Sequence, residues 1–212
     1  MPPPAEAAWA QASGSRAWLA LCALLAAGAV AAFLLPAPVA LLDGQPDRWL
    51  REPWRLWTAA WVHWTPLHLA ANVAGVVVLA LYGQAAALRR AHALAWFIAW
   101  PLTHWALALW ALRGLPGLAH YGGLSGVLHA GVAVASTALL ARPGLQRAVG
   151  AAVWAGLLLK LGWETAGLPG SPGARPGGWD FAVATQAHAA GALAGLLCAL
   201  AVEWHERKKK QP

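Results

Sequence analysis

Ser125 stands in the run Gly122-Gly123-Leu124-Ser125-Gly126, with His129 four residues further on. Three glycines around one serine remove side chains, permitting close backbone approach and a sharp entry into a helix. The first N–H groups of a helix have no intrahelical acceptor, so a helix beginning here could hold an oxyanion. That setting suits a nucleophilic hydroxyl whose tetrahedral intermediate needs donors nearby. Gly-x-Ser-Gly is a short pattern, though, and small-residue packing between helices explains many such runs.

A serine nucleophile needs a base within hydrogen-bond reach. Two histidines compete. His129 lies at i+4 and shares the face of Ser125. His188 lies in "AHAAGALAG", where Gly191 and Gly195 form a Gly-x-x-x-Gly face suited to very close helix packing. That face would press the last apolar segment against a neighbour and bring His188 toward Ser125. The plainer reading makes it a packing motif, with His188 a hydrogen-bonded core residue. In "HWTPLHLAANVAG", residues 63–75, His68 and Asn72 are one helical turn apart. An imidazole and an amide on one face could complete an oxyanion hole. His63 and His68 are spaced to diverge around a helix, and no His-Glu-x-x-His occurs, so a metal site is not expected.

These residues must be positioned by a strongly apolar chain. Of its 212 residues 59% are hydrophobic and 11% charged, against roughly 25% charged in a soluble domain. Several apolar runs approach the ~20 residues that cross a ~30 Å hydrocarbon core. They are continuous and rich in Ala and Leu rather than alternating, which argues against a β-barrel. The expected fold is all-α, a polytopic six-helix membrane bundle with spans near 17–35, 67–88, 92–112, 124–141, 146–163 and 181–204. Residues 1–15 read as a disordered tail, 16–205 as the membrane domain and 206–212 as a basic cytoplasmic tail. Residues 167–178 are too rich in Gly and Pro for a helix interior. The run at 17–35 is too long for a secretory h-region and reads as a retained first helix.

The net charge of +7 does not point to nucleic acid, because the basic residues punctuate apolar runs instead of forming a stripe. With six spans both termini share one side, which collects Arg16, Arg89, Arg90, Arg142, Arg147, Arg207, Lys208, Lys209 and Lys210. The other side holds fewer basic residues and five of the eight acids, so the termini are expected in the cytoplasm. Ser125, His68, Asn72 and His188 then fall at a similar depth near the outer face. Polar groups at such depth are costly and usually functional. Cys22 and Cys198 lie inside spans without metal or redox spacing, and read as buried thiols.

The order "WRLWTAAWVH", "HWTPLHLAAN", "GLSG" and "AHAAGALAG" resembles the rhomboid intramembrane serine proteases over about residues 17–204. The resemblance implies Ser125 as nucleophile, His188 as general base, and His68 and Asn72 in the oxyanion hole beside Gly123 and Gly126. Trp54 and Arg55 match the Trp-Arg pair of the first outer loop. Most rhomboids have Tyr where this chain has His129. "GLSGVLH" and "LKLGWE" are similar to the rhombosortase branch. That likeness implies a bacterial inner membrane and membrane-anchored substrates with a C-terminal Gly-Gly tail, a hydrophobic helix and basic residues. It implies no cofactor. His129 is left with three readings: orienting His188, replacing it, or filling an aromatic slot. Lys160 and Glu164 are read either as a snorkelling pair at a helix end or as a substrate contact. The principal alternative is an inactive rhomboid-like protein that binds or escorts membrane helices. Such proteins usually lack the serine or the histidine, and both are present here. A transporter would show buried charges along a pore or inverted repeats, and the sequence has neither.

Overall fold

The computed structural model describes residues 5–35, 39–111, 113, 119–166 and 183–209. Among them the long helices are α1 (Ala5–Leu34), α4 (Pro66–Ala85), α5 (Arg90–Ala111), α6 (Ser125–Leu140), α7 (Leu145–Thr165) and α8 (Thr185–Lys208). Two single turns, α2 (Val39–Leu42) and α3 (Arg55–Thr58), lie in the connection between α1 and α4, and a 3₁₀ turn over Ala59–Trp61 follows α3. All-helical architecture holds among the described residues, and the long helices occupy the six expected segments.

Three of them are long and apolar enough to cross a membrane: Gly14–Leu34 within α1, then α4 and α8. Helix α6 is apolar but shorter. The other two carry more polar groups, His92 and His104 in α5 and Arg147, Lys160 and Glu164 in α7. The stretch read as a disordered tail is helical from Ala5. Its composition of Ala, Glu and Gln explains the difference, since these are strong helix formers. Likewise α8 runs on to Lys208 rather than ending before a tail, and the basic residues of its last turn complement the helix dipole. The Gly/Pro segment 167–178 and Lys210 lie outside the described residues.

Helix α6 is the hub. It packs against α4, α5, α7 and α8, and twelve of its sixteen residues are buried. Its contact with α8 is backbone to backbone. A Cβ on Gly191 would run into the Gly126 carbonyl oxygen, and one on Gly195 would meet the backbone of Ala130. The Gly-x-x-x-Gly face therefore does what its spacing predicts, and the partner is the helix that begins at Ser125. Helix α5 closes another side, where Trp96 Nε1 donates to the Val127 carbonyl at 2.8 Å.

Candidate active site

Helix α4 begins with Thr65 as cap and Pro66 in its first turn, and the His68 N–H donates to Thr65 Oγ1 at 3.1 Å. That cap fixes where His68 and, one turn later, Asn72 stand. Both are buried. The Trp64 N–H approaches His68 Nδ1 at 3.5 Å, a contact that favours the proton on Nε2. Asn72 Nδ2 donates to the His68 carbonyl at 3.1 Å. The His63 ring lies beside that of His68, with centroids 4.6 Å apart and planes tilted by 59°. Burial lowers the His63 pKa, against the hydrogen bond to the Trp61 carbonyl that raises it.

Gly123 has φ +122°, a backbone conformation that L side chains rarely adopt. A Cβ there would lie 2.6 Å from His68 Nε2 and 3.8 Å from Asn72 Nδ2. The glycine thus makes room for the two donors immediately before Ser125. No side chain caps the start of α6. Its leading N–H groups, His68 and Asn72 consequently converge on one end of the bundle.

The approach to Ser125 is stapled to the connection between α1 and α4. Gly44 and Tyr121 exchange backbone hydrogen bonds of 2.8 and 3.0 Å, and the Gly123 N–H donates to the Ala59 carbonyl at 3.0 Å. The connection is itself knotted by Arg55, which is fully buried. Its guanidinium donates to the Asp43 carbonyl at 2.7 Å, to Asp43 Oδ1 at 3.0 Å and to the Ala40 carbonyl at 2.9 Å, and also pairs with Glu52. Trp54 Nε1 donates to the Leu41 carbonyl at 3.1 Å. The Trp-Arg pair singled out in the sequence is therefore a fastener for this segment.

His188 enters in the first turn of α8, four per cent exposed. Its ring lies flat on His129, with centroids 4.2 Å apart and planes 11° from parallel. His129 Nδ1 donates to the Ser125 carbonyl at 2.6 Å, so His129 sits between the backbone of Ser125 and the face of His188. Glu164 Oε2, from the last turns of α7, lies 2.9 Å from His188 Nδ1. Its other oxygen pairs with Lys160, whose Nζ is also 3.2 Å from His188 Nδ1. The Lys160–Glu164 pair is thus more than a snorkelling pair at a helix end; it reaches the histidine. His188 Nε2 is buried and has no hydrogen-bond partner among the described residues, the Ser125 hydroxyl included.

The structure thus gathers Ser125, His129, His188, His68, Asn72, Gly123 and Gly126 at one end of the bundle, where α4, α6 and α8 begin and α7 ends. Sequence reasoning missed that Glu164 touches His188. The signal available was a carboxylate near the end of an apolar helix, a position rarely occupied without reason. Such a site has an unpartnered imidazole nitrogen, a hydroxyl at a helix start and a cluster of polar groups, which is equipment that acyl transfer can use. The Rhomboid domain model matches residues 50–204, which include every one of these residues. No curated protein matches the chain.

Proposed function

Because the chain belongs to the rhomboid family, whose members are intramembrane serine proteases, we propose that it is an active endopeptidase with Ser125 as nucleophile and His188 as general base. The observation that carries this reading is the buried, unpartnered Nε2 of His188 on a helix held at backbone contact with the start of α6. An unpaired buried nitrogen costs about 1–3 kcal/mol, and a base awaiting a proton is a reason to bear that cost. Catalytic hydrogen bonds are often long or unformed before substrate binds, so the open Ser125–His188 pair fits a resting site.

In the proposed reaction Ser125 Oγ attacks a peptide carbonyl carbon while its proton passes to His188 Nε2. The resulting oxyanion accepts from the first N–H groups of α6, from His68 Nε2 and from the Asn72 amide. When the C–N bond breaks, His188 returns the proton to the leaving amine, and an acyl-enzyme remains on Ser125. Water then attacks the ester by the same proton route, freeing the serine. His129 serves as the platform under the base: its Nδ1 is committed to the Ser125 carbonyl, and its ring face supports His188.

The six long helices would span a bacterial inner membrane with both termini cytoplasmic and the site toward the outer face. "GLSGVLH" and "LKLGWE" favour the rhombosortase type. Substrates would be membrane-anchored proteins ending in a Gly-Gly segment, a hydrophobic helix and basic residues.

The test is cleavage in membranes of a secreted reporter domain carrying such a tail, co-expressed with the native chain, Ser125→Ala or His188→Ala. Cleavage by the native chain alone is the expected result. Cutting of a general rhomboid substrate but not of this tail would remove the rhombosortase assignment. Failure on both, by folded native protein, would favour the escort reading.

A further inference from the structure

The mechanism above leaves α7 without a task, yet it buries an acid. The Glu164 side chain is 3% exposed, a costly place for a carboxylate. Its two oxygens are divided between Lys160 on one side and His188 Nδ1 on the other. His188 Nδ1 therefore has two neighbours with opposite demands. An ionised carboxylate can only accept, which keeps the proton on Nδ1 and leaves Nε2 bare. An ammonium can only donate, which would strip Nδ1 and place the ring proton on Nε2. The distances favour the carboxylate, 2.9 Å against 3.2 Å. Burial favours it too. The Lys160 side chain is 43% exposed and has Glu164 as its own partner, whereas a buried Nδ1–H facing Glu164 has that one acceptor in reach.

We propose, resting on the assignment of Ser125 and His188 above, that Glu164 is a positioning residue that completes a Ser125–His188–Glu164 relay. It fixes His188 in the tautomer whose Nε2 can take a proton, and it stabilises the imidazolium that forms. Lys160 is the counterion that keeps Glu164 an acceptor. In the acylation step the Ser125 proton moves to Nε2, the Nδ1 proton stays on the ring, and Glu164 remains ionised throughout. Glu164 touches no reacting atom; it acts through His188.

Two measurements on the full-length protein in detergent or nanodiscs test this. Imidazole ¹⁵N NMR of the native protein, with the His188 signals assigned by a His188→Asn variant, should show the proton on Nδ1 and a bare Nε2. A proton resident on Nε2 overturns the proposal without any change at Glu164. In kinetics, Glu164→Gln should lower kcat about 100- to 10,000-fold with KM unchanged, and Glu164→Asp should restore part of the loss. Native kcat in Glu164→Gln overturns the proposal. A fluorophosphonate probe separates this failure from that of its premise. Labelling of Ser125 at equal rates in native protein and Glu164→Gln sinks the relay alone; no labelling of folded native protein sinks the nucleophile and the relay with it.

Discussion

Among the described residues two histidine–glutamate pairs stand one near each end of the bundle, and they differ in a single nitrogen. Toward the far end His92 of α5 meets Glu203 of α8, Nε2 to Oε1 at 2.9 Å, and His92 Nδ1 accepts the Arg89 N–H at 3.1 Å. Arg89 adds ion pairs to Glu203 and Glu206. Every ring nitrogen there is spoken for, and the assembly ties α5 to α8. Toward the other end His188 meets Glu164 at the same 2.9 Å, again with a cation beside the acid, but its second nitrogen has no partner among the described residues. Residue types alone do not separate a brace from the proposed base. What sets the two histidines apart is whether the second ring nitrogen has a partner.

That contrast can be broken most sharply by removing each histidine in turn. His188→Ala should lower cleavage about 10,000-fold or more, while His92→Ala leaves the rate per folded molecule unchanged. The second change should instead lower stability by about 1–3 kcal/mol, because Glu203 and the Arg89 N–H lose a buried partner. Reporter cleavage and thermal unfolding in detergent give the two readouts. Equal losses of activity would dissolve the distinction. A smaller effect is expected from Gly191→Val, which pushes α8 off the Gly126 carbonyl and so misplaces the base. Overpacking of this kind costs about 1–3 kcal/mol, and a shift of about 1 Å in a reacting group lowers rate by about 100-fold. Native turnover in that variant would mean that the glycine contact serves packing alone. The smallest effect belongs to His129→Tyr. A ring-on-ring contact is worth about 0.5–1.5 kcal/mol, and tyrosine keeps the ring, so the rate should stay within about tenfold. A loss as deep as that of His188→Ala would make His129 a chemical participant rather than a platform.

The two ends were not equally legible in the sequence. Helix positions followed from apolar runs and the punctuation between them, and Gly191 and Gly195 announced a close contact. Sequence left open which helix they touch, and packing chose α6. That Ser125, His68, Asn72 and His188 share one end of the bundle could be read because they stand near the starts of apolar runs. Glu164 could not be tied to His188, because a Lys–Glu pair at i, i+4 looks the same whether it faces headgroups or a third residue 24 positions away. The Arg55–Asp43 knot was hidden for a similar reason: a tryptophan-rich connection gives no period from which a partner can be read. The helical start at Ala5 shows propensity prevailing where composition suggested a tail.

Helix α6 has sixteen residues and begins at Ser125, whereas the helices packed around it, α4, α5, α7 and α8, have twenty or more. At 1.5 Å per residue it is about 24 Å long, short of the ~30 Å hydrocarbon core. A central helix walled by its neighbours can be short, since lipid does not set its length. Its first residue is the proposed nucleophile, and the buried side chains of His68, Asn72 and His188 gather at the same end. Under the proposed hydrolysis, water would have to pass these buried side chains to reach the ester, and would act there as a reagent in limited supply rather than as a solvent.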